Sequence, residues 1–162
     1  MNKIIDFYLN NALKIDSFIF VLIWLANSYL EIINFKSASR ETHLSILSDL
    51  IAASISLAGF ILASLTIIAA IKSNISNKSP ETAKNPLELF FSPKNYKRIV
   101  EVFQGSIIEL TFTFILAYVF WISNENFLDE SMFKIVICLS FIISISTLRS
   151  LIVLFRITKI EE

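Results

Sequence analysis

Residues 50–71 read LIAASISLAGFILASLTIIAAI, and no charged residue interrupts them. A helix needs about 20 mostly apolar residues to cross the hydrocarbon core of a bilayer. This run is long enough to do so, and it predicts an integral membrane protein with an all-α fold. The whole chain has 162 residues, of which 55% are hydrophobic and only 17% are charged. A soluble domain of this size could not bury so much apolar surface.

Three other segments have similar length and composition, namely 17–33, 106–123 and 133–155. Together with 50–71 they predict four transmembrane helices. We therefore expect a single four-helix transmembrane domain, 1–162, in which the only long connection joins the second span to the third.

That connection, 72–105, has two parts. The first part is polar and rich in turn-forming residues, so we interpret it as a linker. The second part opens with Ser92 and Pro93, a typical N-cap and first helical residue. Apolar residues then recur at helical spacing, which predicts a helix over 93–103. We expect this helix to run directly into the third span and to extend it into the cytoplasm.

Basic residues set the orientation, because cytoplasmic loops of membrane proteins carry an excess of lysine and arginine. With four spans, the two termini and the middle connection share one side of the membrane. That side holds ten basic residues, Lys3, Lys14, Lys72, Lys78, Lys84, Lys94, Lys97, Arg98, Arg156 and Lys159, against three on the other side, Lys36, Arg40 and Lys134. The bias predicts that both termini are cytoplasmic and, for a bacterial chain, that the protein lies in the inner membrane.

Composition also narrows the classes of function. The formal net charge is zero, which argues against a direct nucleic-acid surface. A single cysteine, Cys138, offers no intramolecular disulfide and no metal cluster. The sequence contains no phosphate-binding glycine loop, no nucleophile elbow and no paired zinc-binding histidines. We therefore expect no enzymatic activity, no cofactor and no metal.

The second span carries a row of small residues spaced 4, 3, 4, 3 and 4 apart, namely Ala52, Ser56, Gly59, Ala63, Thr66 and Ala70. In lipid, helices associate through close backbone approach, so such a row predicts a packing face. Its 3.5-residue repeat implies a left-handed crossing. Two interpretations stay open. The row packs on another helix of the same chain, or it packs on the second span of another copy and builds a symmetric oligomer.

Glu109 and Arg149 are the ionisable residues that lie most clearly inside predicted spans. Counted from Gln104, where span three leaves the cytoplasm, Glu109 lies about one and a half turns deep. Counted from Arg156, where span four enters it, Arg149 lies about two turns deep. The two spans are antiparallel neighbours, so the matching depths predict an intramembrane ion pair. In the alternative, Arg149 reaches the headgroups and leaves Glu109 to bind a coupling proton or cation.

Two surface regions are candidate binding sites. Lys94, Tyr96, Lys97 and Arg98 lie on the predicted cytoplasmic helix and are candidates for docking a cytoplasmic protein. On the other side of the membrane the sequence gathers Asn27, Glu31, Arg40, Glu41, His43 and Asp49 near the loop 34–49. We interpret this second group as a solvated polar surface, with a small ligand or partner site as the alternative.

The stretch LAGFILASLTIIAAI, 57–71, with YKRIVEVFQGSIIELTFTFIL, 96–116, is similar to small four-helix bacterial membrane proteins. Some of these belong to bacteriophage-defence systems, such as the membrane subunit of the Kiwa system or the membrane accessories of CRISPR and nucleotide-signalling systems. The resemblance covers about a third of the chain and carries over no site residue. The amino-acid composition, rich in Ile, Asn, Lys, Ser and Phe, also resembles that of proteins encoded by AT-rich bacterial genes.

We therefore expect a non-enzymatic, homo-oligomeric membrane protein with a cytoplasmic protein partner. The resemblance implies that it is the membrane component of an antiviral defence or stress system, acting as a sensor or a permeability effector. A small ion-coupled transporter or channel that uses Glu109 is the alternative. This sequence differs from small four-helix multidrug exporters, which have compact loops and carry their acidic residue in the first span. An assembly factor for another membrane complex is a third possibility.

Overall fold

The computed structural model describes residues 39–74 and 91–158, together with eight single positions between residues 7 and 25. The predicted all-α fold is confirmed there by three long helices, α1 (Arg40–Ser73), α2 (Pro93–Ile122) and α3 (Asp129–Thr158). A short 3₁₀ turn, Asn124–Asn126, joins α2 to α3. Each of the three helices is long and apolar enough to cross a membrane.

The first predicted span, 17–33, lies almost entirely outside the described residues. Of its members only Phe18, Val21, Leu22 and Leu25 are described, and all four are helical and exposed. The first part of the linker and both termini also fall outside the described residues. The fourth span and the orientation of the chain in the membrane therefore stay predictions.

Helix α1 begins earlier than its apolar run. Ser39 is the N-cap, and its side chain accepts a hydrogen bond from the backbone N–H of Thr42. Glu41 lies in the first turn, where the helix dipole favours an acid. The prediction of a loop up to residue 49 is therefore wrong from Arg40 onward, where the helix begins. The polar residues Arg40, Glu41, His43 and Asp49 all lie on the first turns of α1.

Helix α2 begins at Pro93, with Ser92 as its N-cap, and continues without a break to Ile122. The predicted extension 93–103 is therefore helical and continuous with the third span. Its position differs from expectation. Ile99, Val102 and Phe103 are buried in one cluster with Ile61 and Ile68 of α1. The extension lies beside the apolar half of α1 rather than projecting beyond it, because its own apolar stripe needs a partner surface.

The three helices bury one face each. Near the end where α1 and α3 begin, Leu47 packs with Ala117 and Met132. Near the other end, Ile61 and Ile68 of α1 share a cluster with Phe103 of α2 and with Val153 of α3. Helix α2 is thus antiparallel to both α1 and α3. The opposite faces carry large exposed apolar side chains, such as Ile67 at 62% and Ile108 at 67% exposure, as expected for surfaces that lipid solvates.

Candidate functional site: a buried ion pair between α2 and α3

Glu109 of α2 and Arg149 of α3 meet between their helices. The Nη2 atom of Arg149 donates to the Oε2 atom of Glu109 at 2.7 Å. The Arg149 side chain is 3% exposed and that of Glu109 is 18% exposed. The contact joins residues 40 apart in sequence, and the structure brings together the two ionisable residues that the sequence singled out.

Serine side chains extend the pair into a polar network. Arg149 Nη2 also donates to Ser106 Oγ at 3.2 Å. Ser106 Oγ donates to the backbone carbonyl of Ser146 at 3.2 Å, and Ser146 Oγ donates back to the carbonyl of Ser106 at 3.3 Å. Both serines are fully buried. Sequence reasoning missed them, although small hydroxyl residues often mark the places where apolar helices hydrogen-bond to each other.

The guanidinium of Arg149 lies beside Gly105, and a Cβ atom built there would lie 3.9 Å from Nη2, an ordinary van der Waals distance that leaves room for alanine. The low exposure of both side chains of the pair shows that water has little access to it. In such surroundings the charges interact more strongly than in water, and each has lost its hydration. Removing either partner would leave the other charge buried and uncompensated.

Glu109 lies near the middle of helix α2, sixteen residues after Pro93 and thirteen before Ile122. Its depth relative to the bilayer stays a prediction. Arg149 lies nearer the end of its helix and reaches back towards Glu109. The pair thus occupies the central part of the apolar three-helix bundle.

A second ion pair lies at the end of the bundle where α1 begins. Arg40 Nε donates to Asp129 Oδ1 at 3.0 Å, and Arg40 Nη2 donates to the carbonyl of Phe127 at 2.8 Å. One side chain thereby ties the first turn of α1 to the turn before α3. We call these contacts of Arg40 with Asp129 and Phe127 the Arg40 clamp. No sequence pattern indicates it, because residues 40 and 129 are 89 positions apart and both resemble ordinary surface charges.

Replacing Arg40 with alanine is expected to destabilise the folded chain by about 1 kcal/mol, because a half-exposed ion pair and one further hydrogen bond are lost. Thermal unfolding in detergent, followed by circular dichroism, measures the change. Lys134→Ala is the matched control, since Lys134 pairs with Glu130 at 2.6 Å on the exposed surface of a single helix. If the two substitutions lowered the stability equally, the contacts of Arg40 between helices would contribute no more than an exposed ion pair within one helix.

His43 is buried one turn below the clamp, contrary to the solvated surface that the sequence suggested for this end. Its ring is fully buried and lies against Phe133, with 5.8 Å between ring centroids. Among the described residues neither ring nitrogen has a hydrogen-bond partner. The same part of the chain contains no group of three His, Cys, Asp or Glu residues that could hold a metal ion.

The small residues of α1 face outward. All six, Ala52, Ser56, Gly59, Ala63, Thr66 and Ala70, are exposed. The buried face of α1 instead contains Leu47, Ser54, Ile61, Ser64 and Ile68. At 100° per residue the two sets lie on opposite sides of the helix. The row therefore does not pack on α2 or α3, the two described helices that α1 contacts. We call these six residues the small-residue face.

The candidate docking residues are divided between surface and core. Lys97 is exposed, with a side chain that is 80% accessible and lies 3.9 Å from Glu101. Tyr96 is half-buried and packs against the core cluster of α1 and α2. Arg98 is half-buried as well, and its Nε atom is inaccessible. The side chain of Lys94 lies outside the described residues, so Lys97 is the member that the structure leaves open to a partner.

Several hydroxyl groups within the helices bond to their own backbone, whereas Thr147 Oγ1 is buried without a hydrogen-bond partner among the described residues. Thr113 donates to the carbonyl of Glu109, and Ser140 and Ser144 each donate to the carbonyl four residues earlier. Such bonds satisfy a hydroxyl in apolar surroundings without any water-filled channel. These side chains therefore carry no argument for a pore through the single chain.

No protein-family model matches this chain, and comparisons with curated proteins and with solved structures give no match either.

Proposed function

We propose that this chain is a self-associating, non-enzymatic membrane protein in which the Glu109–Arg149 pair controls helix packing and, through it, membrane permeability. The observation that carries the proposal is the burial of this pair, at 2.7 Å, between two helices that are each apolar enough to cross a membrane. Charged groups at such depth are costly and usually have a functional role. An intact pair holds α2 and α3 together, and a disturbed pair leaves a charge that must find water or another partner.

Self-association is supported by the small-residue face of α1. Its residues are exposed, and no atom of the described residues lies within 4 Å of a Cβ built on Gly59. Because lipid tails solvate large apolar side chains well, a row of small residues favours another helix as its neighbour. A second copy of the chain supplies such a helix.

We further propose that the protein acts in the bacterial inner membrane, with four spans and both termini cytoplasmic, as the membrane component of an antiviral defence or stress system. The sequence resemblance of 57–71 and 96–116 supports this role. A cytoplasmic protein partner would dock near Lys97, which is exposed beside the start of α2. Reversing the charge of Lys97 should weaken capture of that partner while leaving self-association intact.

A transporter or channel that uses Glu109 as its coupling acid is the second candidate. One observation favours it: Glu109 is 18% exposed, whereas Arg149 is only 3% exposed. The carboxylate is therefore the more accessible partner of the pair, as a site that exchanges protons or cations requires.

Proton flux separates the two candidates. Proteoliposomes would be loaded with a pH-sensitive dye and given an inward proton gradient. Under our proposal the resting wild-type protein keeps the gradient, and Arg149→Met makes the vesicles leak about tenfold faster, since Glu109 is then buried without compensation. If the wild type itself dissipates the gradient and Glu109→Gln stops it, the transporter interpretation is correct instead. Empty liposomes and vesicles with Lys134→Ala are the controls.

A further inference from the structure

His43 is the only histidine of the chain, and its side chain is fully buried near the start of α1. Neither Nδ1 nor Nε2 has a hydrogen-bond partner among the described residues. A neutral imidazole can donate from one nitrogen and accept at the other, so burial without partners leaves both groups unsatisfied. Such unsatisfied groups are rare in native proteins, and a titratable one points to a role other than stability.

Two pairs of side chains lie in successive layers at this end of the bundle. The outer layer is the Arg40 clamp, in which Arg40 Nε donates to Asp129 Oδ1 at 3.0 Å. In the next layer, three residues along α1 and four along α3, the ring of His43 lies against that of Phe133. Leu47 follows one turn deeper and is fully buried. The imidazole therefore lies between the clamp and the apolar core.

The other charged groups at this end give the imidazole no carboxylate of its own. The titratable and charged residues on the surrounding elements are Arg40, Glu41 and Asp49 of α1, Tyr118 of α2, Glu125 of the turn, and Asp129, Glu130, Lys134 and Cys138 of α3. Glu41, Asp49 and Glu125 are exposed, and Glu130 pairs with Lys134 at 2.6 Å. Asp129 is the acid of the layer next to the ring, and it already accepts a hydrogen bond from Arg40.

The starts of two helices meet beside the ring. His43 is the fourth residue of α1, and Phe133 is the fifth residue of α3. The first turn of a helix carries a partial positive charge, which favours acids and disfavours cations. A protonated ring would therefore meet two positive helix ends and the guanidinium of Arg40, in apolar surroundings that do not solvate a charge. The closed arrangement of the layers suits the neutral ring alone.

We propose that His43 is a proton-operated switch that opens this end of the bundle. The neutral ring packs against Phe133, and the Arg40 clamp closes over it. When the ring takes up a proton, the imidazolium draws Asp129 away from Arg40 or turns out to water, and either movement breaks the clamp. The first turns of α1 and α3 then separate. In the predicted orientation this end faces away from the cytoplasm, so the stimulus is acid outside the cytoplasm.

The distance between the first turns of α1 and α3 tests the switch. Spin labels at Ser45→Cys and Leu128→Cys, two exposed positions outside the clamp, report this distance in nanodiscs, with Cys138→Ser removing the native thiol. Between about pH 8 and about pH 5, the interval in which imidazole titrates, the distance should grow reversibly. We expect an increase of about 5 Å, because the ring must rise by one helical turn to reach water.

His43→Phe is the matched variant, since phenylalanine fills a similar volume against Phe133 and takes up no proton. Its distance should stay constant over the same interval of pH. A change of distance that persists in this variant would overturn the proposal, because another group would then drive the movement.

A second measurement needs no substitution of His43. Because the chain contains one histidine, labelling histidine with nitrogen-15 gives ring signals of this residue alone, and their chemical shifts distinguish the neutral ring from the imidazolium. The proposal requires that the imidazolium and the longer distance appear over the same range of pH. A ring that gains its proton at constant distance would overturn it, as would a ring that stays neutral throughout. These results are independent of the proposed self-association, which the switch does not require.

Discussion

Replacing Arg149 with methionine is expected to lower the free energy of unfolding by about 3 kcal/mol, since breaking a buried ion pair from one side leaves the other charge uncompensated. Arg149 Nη2 bonds both Glu109 and Ser106, so the substitution also removes a hydrogen bond between α2 and α3. Reversible unfolding in mixed detergent micelles, followed by far-UV circular dichroism, measures the loss.

The double variant Glu109→Leu with Arg149→Met provides the decisive comparison. Replacing a whole buried pair with apolar residues of similar size is often neutral, so the double variant should unfold within about 1 kcal/mol of the wild type. Together with the single variant Glu109→Leu, the double variant completes a double-mutant cycle, in which the departure from additivity measures the coupling of the two residues. If the losses of the two single variants simply add up in the double variant, the two side chains do not interact in the folded chain.

Replacing Gly59 with leucine is expected to convert the oligomer into a monomer without changing the fold. A Cβ atom at this position meets no described atom within 4 Å, so the described part of the chain leaves open space for a larger side chain here. A neighbouring helix that approaches Gly59 closely would be pushed away, and we expect the dissociation constant to rise about 100-fold, or about 2.7 kcal/mol. Mass photometry of protein in nanodiscs at graded protein-to-lipid ratios measures the change.

Ser144→Leu is the matched control for Gly59→Leu. Ser144 is an exposed small residue on α3, away from the small-residue face, so the same increase in volume should leave self-association unchanged. Circular dichroism and thermal unfolding of both variants verify that the three helices persist. An oligomer that survives Gly59→Leu would show that the small-residue face is not the contact surface.

The sequence predicts the three long helices because apolar runs of this length have one stable arrangement in lipid, with every backbone hydrogen bond made inside the helix. The start of α2 is also specified, since Pro93 suits the first helical turn, although the side chain of Ser92 at the N-cap position makes no capping hydrogen bond. Glu109 and Arg149 can be related from sequence because a short turn joins their helices and fixes which residues lie at similar depth.

The direction of the small-residue face could not be predicted. Helix α1 is apolar around its whole circumference, so the periodicity that separates inside from outside in a soluble helix is absent. The Arg40 clamp was also invisible, because it depends on how α1 and α3 lie side by side. The same holds for His43, which resembles a surface residue in the sequence and is fully buried by the fold.

The reciprocal bonds between Ser106 and Ser146 limit the motions that remain available to the protein. Each serine donates to the carbonyl of the other, at 3.2 and 3.3 Å, so a shift of either helix by one residue, about 1.5 Å, would break both bonds together. Sliding along the common axis is therefore disfavoured, whereas tilting about this point strains the bonds least. A rearrangement that opens the bundle should therefore rotate α2 against α3 about the contact between these two serines.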